Sequence, residues 1–155
     1  MKVYIGADHG GYLLKEELKK YLMEKGYEVD DLGAHQLDPQ DDYPDFVIPV
    51  AESVALRQAQ GDHSFGIVIG RSGNGEAIVA NKVKGMRATL CLNESLARMA
   101  REHNDANILA LGADFIDTET ARKVVETFLT TPFSEAEHHK RRLQKISDYE
   151  TAHDQ

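Results

Sequence analysis

The sequence predicts an α/β fold, a three-layer sandwich in which helices cover both faces of a five-stranded parallel sheet. Strand patterns alternate with helix patterns from start to finish, and this alternation is typical of a parallel sheet. The 155 residues, 41% hydrophobic and 28% charged, have the balance of one globular domain. No internal repeat or linker divides the chain. We therefore expect a single domain over residues 1–150 and a disordered tail over residues 151–155.

Five short apolar stretches predict the strands. One helix pattern lies between each strand and the next, and two more follow the fifth strand. The predicted strands are residues 3–7, 27–32, 65–69, 86–91 and 107–111. The predicted helices are residues 12–25, 44–60, 75–82, 94–102, 118–130 and 134–150.

Capping residues support several of these helix ends. Asn93 and Thr118 stand where N-cap side chains are expected, and Ser134 with Glu137 has the spacing of a capping box. Pro49 falls inside the second predicted helix, so we expect it to bend that helix or displace its start.

Charge and cysteine content exclude several classes of protein. A net charge of −8 and a pI near 5.3 disfavour nucleic-acid binding, because phosphate backbones select basic surfaces. The single cysteine, Cys91, allows no internal disulfide and no cysteine zinc site, which favours a reducing compartment. No apolar run approaches the ~18 residues of a membrane span. We expect a cytoplasmic protein that binds neither nucleic acid nor membrane.

Polar side chains follow or approach three of the predicted strands. Asp8 and His9 come directly after the first strand, and the turn over residues 70–76 follows the third. His103 precedes the fifth strand, and we expect it to share one sheet edge with Asp8 and His9. Ligands of such sheets bind beyond the carboxyl ends of the strands, so this edge is the predicted site.

The glycine-rich turn Gly70-Arg71-Ser72-Gly73-Asn74-Gly75 has the G-x-x-x-x-G interval of a phosphate loop, but Glu76 stands where a lysine is needed. A nucleotide triphosphate is therefore disfavoured. The G-x-G-x-x-G pattern is also missing, so no nicotinamide or flavin cofactor is predicted. What remains is a set of backbone N–H groups at a helix start beside a carboxylate.

An oxyanion site next to a base is what an aldose–ketose isomerase needs, because enolisation removes a proton beside a carbonyl and leaves charge on oxygen. Two alternatives stay open. The turn is either an ordinary strand-to-helix connection, with Glu76 a first-turn acid favoured by the helix dipole, or a non-catalytic anion site. Glu76 discriminates, since a pure anion binder has no use for a carboxylate there.

The last predicted helix carries the only basic cluster of the sequence, from His138 to Lys145. It is either a solvated helix face or a surface that reaches a ligand phosphate in a partner subunit. Metal binding by His138 and His139 is disfavoured, because adjacent helical residues point in different directions. We predict no metal site.

Several stretches resemble the family of type B ribose-5-phosphate isomerases and galactose-6-phosphate isomerases. Together they span about residues 1–149. The matching stretches are Ala-Asp-His-Gly-Gly at 7–11, Asp-Tyr-Pro-Asp-Phe at 42–46, Ser-Gly-Asn-Gly-Glu at 72–76, Val-Ala-Asn-Lys at 79–82, Gly-Met-Arg-Ala at 85–88 and Arg-Glu-His-Asn-Asp-Ala-Asn at 101–107.

This resemblance implies a Rossmann-like sandwich and a metal-independent isomerase without a cofactor. The implied reaction interconverts ribose 5-phosphate and ribulose 5-phosphate through an enediolate. It further implies a homodimer in which the C-terminal helix extends to the partner subunit and completes its site. Whether dimers pair into tetramers stays open.

The family has two versions of its base, a cysteine at the end of the third strand or a glutamate after the turn. Gly70 occupies the cysteine position, so the resemblance makes Glu76 the base. The implied catalytic residues are Glu76, Ser72 for proton movement at the substrate oxygens, and Asp8 and His103 for ring opening. The implied substrate-binding residues are His9, Tyr43, Gly73, Asn74, Gly75, Asn104, His138 and Arg142.

The sequence departs from the family where the phosphate is held. An arginine usual after the fifth strand is replaced by Asp114, another in the last helix by His138, and a small residue before Ser72 by Arg71. An acid in a phosphate pocket repels a dianion. The enzyme therefore either rebuilds phosphate binding around Arg142, His138 and Lys140 or Arg141, or acts on another sugar, of allose, galactose, tetrose or unphosphorylated type.

Overall fold

One parallel five-stranded sheet forms the centre of the structure, a computed structural model that describes residues 1–153. The strands lie in the order β2-β1-β3-β5-β4, and every neighbouring pair is parallel. The strands are β1 (Lys2–Ala7), β2 (Glu28–Asp31), β3 (Ser64–Gly70), β4 (Ala88–Leu90) and β5 (Ile108–Gly112). The helices are α1 (Tyr12–Glu24), α2 (Pro44–Ala59), α3 (Asn74–Ala80), α4 (Glu94–Asn104), α5 (Thr118–Thr130) and α6 (Glu137–Ala152).

Two apolar layers cover the sheet, one on each face, because alternate residues of a strand point in opposite directions. In β1 the side chain of Ile5 packs with α1, α4 and α5, whereas that of Tyr4 packs with α2 and α3. In β3 the pair Ile67 and Val68 divides in the same way. The predicted three-layer α/β fold with five parallel strands is confirmed.

The order of the strands reverses between β1 and β3. The chain leaves β1 through α1 toward β2 and then crosses back through α2 to β3, so these two helices lie on opposite faces. A crevice opens at such a reversal beyond the carboxyl ends of the strands. Here it lies between the residues that follow Ala7 and those that follow Gly70.

Several predicted helix ends need correction. The N-cap of α5 is Asp117 rather than Thr118, because Asp117 Oδ1 accepts a hydrogen bond from Thr120 N at 2.9 Å. The predicted capping box does not form, since α6 begins at Glu137 and the Ser134 hydroxyl bonds His139 Nδ1 at 2.7 Å instead. Asn93 does cap α4, accepting from Leu96 N at 2.9 Å.

Helix α2 starts at Pro44 and contains Pro49, so the start is not displaced. At the end of the chain α6 continues to Ala152, and the predicted boundary after residue 150 therefore falls inside a helix. Residues 154 and 155 of the predicted tail lie outside the described residues. Within residues 1–153, no helix combines the length and the apolar character needed to cross a membrane.

Candidate active site

Asp8 opens the site at the carboxyl end of β1. Its carboxylate is largely buried, and Oδ1 accepts hydrogen bonds from the backbone N–H groups of Gly10 at 2.9 Å and Gly11 at 3.2 Å. The chain can turn this tightly because Gly11 sits against the Ile69 carbonyl, where a side chain would overlap it. The Asp8 carboxylate is thus fixed beside the end of β3.

The turn after β3 packs against the end of β5. Gly73 has φ +78°, a left-handed conformation that favours glycine, and a side chain on Gly112 would overlap the backbone of Ser72. The Ser72 hydroxyl accepts a hydrogen bond from Asn74 N at 3.3 Å. Because α3 begins at Asn74, the N–H groups of its first turn lack acceptors within the helix.

Glu76 folds back from α3 onto Gly70, the last residue of β3. Its side chain is only 4% exposed, and a Cβ atom added to Gly70 would overlap the Glu76 carboxylate. One volume at the end of β3 therefore holds either a side chain at position 70 or the carboxylate of residue 76. This explains why glycine precedes the turn in a chain that carries an acid after it.

Burial is the main influence on the acidity of Glu76. It raises the pKa of the carboxyl group, because removing the carboxylate from water disfavours its charge. A hydrogen bond from the residue's own backbone opposes this effect, and the negative charge of Asp8 adds to it. Asp8 and Glu76 are therefore two carboxylates in different environments at the carboxyl edge of the sheet.

Tyr43 precedes α2 and reaches the same turn. A Cβ atom on Gly75 would come within 2.8 Å of Tyr43 Cζ and 3.1 Å of the phenol oxygen. The ring therefore covers the backbone of Gly75 and is itself 36% exposed. Of the predicted site residues, the structure brings together Asp8, His9, Tyr43, Ser72, Gly73, Asn74, Gly75 and Glu76.

Asp41 is a neighbour of this site that sequence reasoning missed. Its Oδ1 accepts from the backbone of His9 at 3.0 Å and lies 2.6 Å from His9 Nδ1. That hydrogen bond raises the pKa of the His9 imidazole. Asp41 lies in the loop between β2 and α2, where no periodic pattern shows which residue turns inward, so only the loop conformation reveals the contact.

The same residues form a group that could hold a metal ion. Ligand atoms of Asp8, His9 and Asp41 all lie within 4.8 Å of one another. His9 Nδ1 is already engaged with Asp41 at hydrogen-bond distance, an arrangement that orients the imidazole without a metal. The absence of a metal and of a cofactor from the working protein stays a prediction.

His103 does not share the edge of Asp8 and His9, and that prediction is wrong. Helix α4 runs antiparallel to the strands, so its last residues return to the amino ends of β4 and β5. Arg87, which precedes β4, donates from Nε to the carbonyl oxygen of Asn104 at 3.0 Å. Along β5 the two edges are about 13 Å apart, at ~3.3 Å per residue.

The remaining predicted residues lie at this amino edge as well. The rings of His103 and His139 are 4.5 Å apart between centroids, and those of His138 and His139 are 4.1 Å apart. His139 is buried, whereas Asn104, His138 and Arg142 are exposed. We call His103, Asn104, His138, His139 and Arg142 the amino-edge cluster.

Burial lowers the pKa of His139, and the nearby charges of His138, His103 and Arg142 lower it further. A cavity of about 500 Å³ also opens at this edge, but the two guanidinium groups that line it serve the fold. Arg87 bonds the Asn104 and Asp105 carbonyls, and Arg101 bonds the Thr131 and Ala106 carbonyls.

A cavity of about 690 Å³ lies next to the turn on the carboxyl edge, lined by His9, Gly10, Arg71 and Asp114 among others. Arg71 Nη1 lies 3.5 Å from Asp114 Oδ2, so two of the departures from the family pattern are in contact. The third, His138, lies in the amino-edge cluster.

Fold and site together define a class of protein. A buried carboxylate lies at the strand-order reversal of a parallel sheet, next to a turn of backbone N–H groups at a helix start, an arrangement that can accept a proton and stabilise negative charge on oxygen. A family model described as Ribose/Galactose Isomerase matches residues 3–146, and the chain belongs to that family.

Relatives agree with this membership. Ribose-5-phosphate isomerase B of Mycobacterium tuberculosis strain H37Rv is 43% identical over 154 residues, which cover 99% of this chain and 93% of that protein. A structure of ribose-5-phosphate isomerase B from Clostridium thermocellum is 46% identical with a TM-score of 0.91, covering 98% and 99% of the two chains. The enzyme from Mycoplasma genitalium with bound ribulose-5-phosphate is 39% identical with a TM-score of 0.90, covering 97% and 96%.

Proposed function

We propose that this protein interconverts ribose 5-phosphate and ribulose 5-phosphate through an enediolate, with Glu76 as the base. The observation that carries the proposal is the position of the Glu76 carboxylate, buried over Gly70 and next to the turn. An aldose–ketose isomerase must take a proton from one carbon and return it to its neighbour, which a single carboxylate can do. Membership of the family supports the substrate.

The environment of Glu76 suits that task. A base works best when its pKa lies close to the working pH, and burial moves the pKa of Glu76 upward from that of a free carboxyl group. The backbone from Gly73 to Gly75 offers N–H donors to the enediolate oxygens as charge develops on them. Ser72, whose hydroxyl lies at the start of this turn, moves protons between the two substrate oxygens.

Asp8 and Tyr43 hold the other parts of the sugar in this proposal. The Asp8 carboxylate, fixed by two backbone N–H groups, assists ring opening at the sugar oxygen. The Tyr43 phenol, which covers Gly75, donates to a sugar hydroxyl. His9 stands at the mouth of the neighbouring cavity and binds the phosphate end of the substrate.

The amino-edge cluster completes the site from a second copy of the chain. His103 assists ring opening, Asn104 binds the sugar, and His138 and Arg142 bind the phosphate. Within one chain these residues lie a strand's length from Glu76, so they can serve the reaction only in a homodimer whose two-fold axis brings opposite edges together. Helix α6 then extends to the partner subunit, and the exposure of its large apolar side chains Ile146 and Tyr149 supports this.

Replacing Glu76 with Gln tests the base. The amide keeps the volume and loses the proton acceptor, so kcat for ribose 5-phosphate should fall about 10²–10⁴-fold with KM little changed. Circular dichroism should show the same fold. Glu76→Asp serves as the matched variant, since it keeps the carboxylate but shortens its reach. Equal kcat for wild type and Glu76→Gln would show that another group abstracts the proton.

A second candidate is isomerisation of another sugar, of allose, galactose, tetrose or unphosphorylated type. Asp114 favours it, because this acid lines the cavity beside the turn where a phosphate would sit. A panel of these sugar phosphates and their free sugars decides by kcat/KM. Turnover of free ribose equal to or better than that of ribose 5-phosphate would contradict the phosphate. No turnover of any would leave the small-anion-binding module. The cytoplasmic location stays a prediction.

A further inference from the structure

The cavity beside the turn has one feature that the reaction chemistry leaves unused, the contact between Arg71 and Asp114. Its volume of about 690 Å³ is within the range of small-molecule sites. It adjoins the turn, because Arg71 directly follows Gly70, over which the Glu76 carboxylate lies. Glu76 itself does not line the cavity, so a substrate whose reacting carbons lie at Glu76 reaches the cavity only by extending past Arg71.

Three contacts hold Arg71 at this place. Its carbonyl oxygen accepts a hydrogen bond from Asp114 N at 3.0 Å, and its Cγ packs on Gly10, where an added Cβ would come within 2.5 Å. Its Nη1 lies 3.5 Å from Asp114 Oδ2. The backbone and stem are therefore fixed between the ends of β1 and β5, and the guanidinium stands over the cavity.

The ion pair with Asp114 is weak enough to be exchanged. The two side chains are 69% and 52% exposed, and the contact is a single long one. Exposed pairs of this kind contribute little to stability. A guanidinium has five N–H donors in a fork that matches two phosphate oxygens, so a phosphate offers Arg71 a better partner than one oxygen of Asp114 does.

We propose that Arg71 binds the phosphate of the substrate, and that Asp114 competes with the phosphate for Arg71 and so sets its affinity. This inference rests on the proposed function for the identity of the substrate. It assigns one role to two departures from the family pattern: the cation that the family carries after its fifth strand is supplied here from the turn, and the acid beside it orients the guanidinium while the cavity is empty.

Steady-state kinetics on Arg71→Gln test the proposal, with Lys20→Gln on the exposed side of α1 as the matched loss of one charge. Arg71→Gln should raise KM for ribose 5-phosphate at least about 10-fold, with kcat within about 3-fold and kcat/KM for free ribose unchanged. Lys20→Gln should change none of these. Arg71→Lys, which keeps the charge and loses the fork, should fall between and covers the case in which Arg71→Gln does not fold.

Asp114→Asn tests the competition. It should lower KM for ribose 5-phosphate about 3–10-fold, and in the Arg71→Gln background the same change should have a much smaller effect, because most of its benefit passes through the guanidinium. A purely structural role for Asp114 would change thermal stability and kcat without this dependence on Arg71. An equal effect of Asp114→Asn in both backgrounds would overturn the competition.

Calorimetric titration with inorganic phosphate separates this inference from the proposed function. Wild type should bind phosphate at least about 10-fold more tightly than Arg71→Gln, whether or not ribose 5-phosphate is turned over. If wild type isomerises ribose 5-phosphate while Arg71→Gln keeps its KM and its phosphate affinity, the inference fails and the proposed function stands. If wild type does not turn over ribose 5-phosphate but binds phosphate through Arg71, the proposed function fails and the phosphate site stands.

Discussion

The two edges of the sheet present their polar residues in different ways. At the carboxyl edge, Asp8 and Glu76 are buried, and glycines leave room for the Glu76 carboxylate and for the Tyr43 ring. At the amino edge, Asn104, His138 and Arg142 are exposed. Their support comes from α4 and α6, and in α6 His139 is the one buried residue among those described.

The difference is in how firmly one chain fixes the side chains at each edge. The carboxyl edge is preorganised, because backbone donors and packing fix its carboxylates before any ligand arrives. In the amino-edge cluster Asn104, His138 and Arg142 are exposed, so nothing within the chain fixes these side chains to the same degree. In our proposal they contact the carboxyl edge of a second copy.

Mixing of two inactive variants tests whether the two edges act together in one site, and it has the largest expected effect on activity. Glu76→Gln and His103→Gln homodimers should both be nearly inactive. After denaturation and refolding of an equal mixture, half of the dimers are mixed, and each mixed dimer has one intact site, so about a quarter of wild-type activity should return. A mixture of Glu76→Gln with Asp8→Asn is the control, since both changes lie at one edge and no intact site can form with both wild-type residues.

The same mixing experiment can also contradict the shared site. If His103 and Glu76 of one site came from the same chain, each chain of the mixed dimer would carry one inactivating change. No activity would then return. Size-exclusion chromatography with light scattering should accompany the assay, because a monomeric wild type that isomerises ribose 5-phosphate would also contradict the shared site.

Gly70→Ala sharpens the account of the carboxyl edge. Gly70 has no positive φ, so alanine fits its backbone, but the new Cβ overlaps the Glu76 carboxylate and must displace it. A displacement of about 1 Å in a catalytic group can cost ~10²-fold in rate, and we expect a loss of kcat of that order. Gly26→Ala is the matched control.

At Gly26 nothing lies within 4 Å of an added Cβ, yet φ is +87°, so alanine should lower thermal stability and leave kcat unchanged. Gly70→Ala should instead lower kcat and leave thermal stability unchanged. A wild-type kcat in Gly70→Ala would mean that Glu76 acts from another position than the one it holds here.

The sequence predicted the fold well because its signals are local. Five apolar strands, the helix patterns between them and the turn after β3 each follow from residues close together in the chain. The same reasoning failed for His103, because it used the distance to the next strand and ignored helix direction. A helix that follows a parallel strand must return to the amino edge, so the C-terminal end of α4 could have been assigned there from topology alone.

Other parts of the site have no local signal. The contact of Asp41 with His9 spans 32 positions, and that of Arg71 with Asp114 spans 43. Both depend on how loops close over the sheet. The position of the Glu76 carboxylate over Gly70 likewise depends on the Glu76 rotamer and on packing. The only local sign of it is the glycine at the position where the family has a cysteine.

One residue at each edge, Glu76 and His139, should also make folding stability depend on pH, in opposite directions. Glu76 has a pKa raised in the folded protein by burial. Below pH 4.5, the ordinary value, it is neutral in both states and has no effect on the pH dependence; as pH rises through the folded pKa, the unfolded chain has lost its proton first and stability falls. Glu76→Gln removes this titration, so its Tm relative to wild type should rise between pH 4 and pH 8, which thermal melts across that range would measure.

His139 should show the reverse dependence, because burial, the largest influence, lowers its pKa in the folded protein. Above pH 6.5 it is neutral in both states; as pH falls below that value toward the folded pKa, the unfolded chain takes up the proton first and stability falls. The Tm of His139→Gln relative to wild type should therefore rise as pH falls from 7 to 5. Loss of the Ser134 hydrogen bond adds a constant offset, so the slope decides. A parallel pair of Tm curves would mean that folding does not lower the pKa of His139.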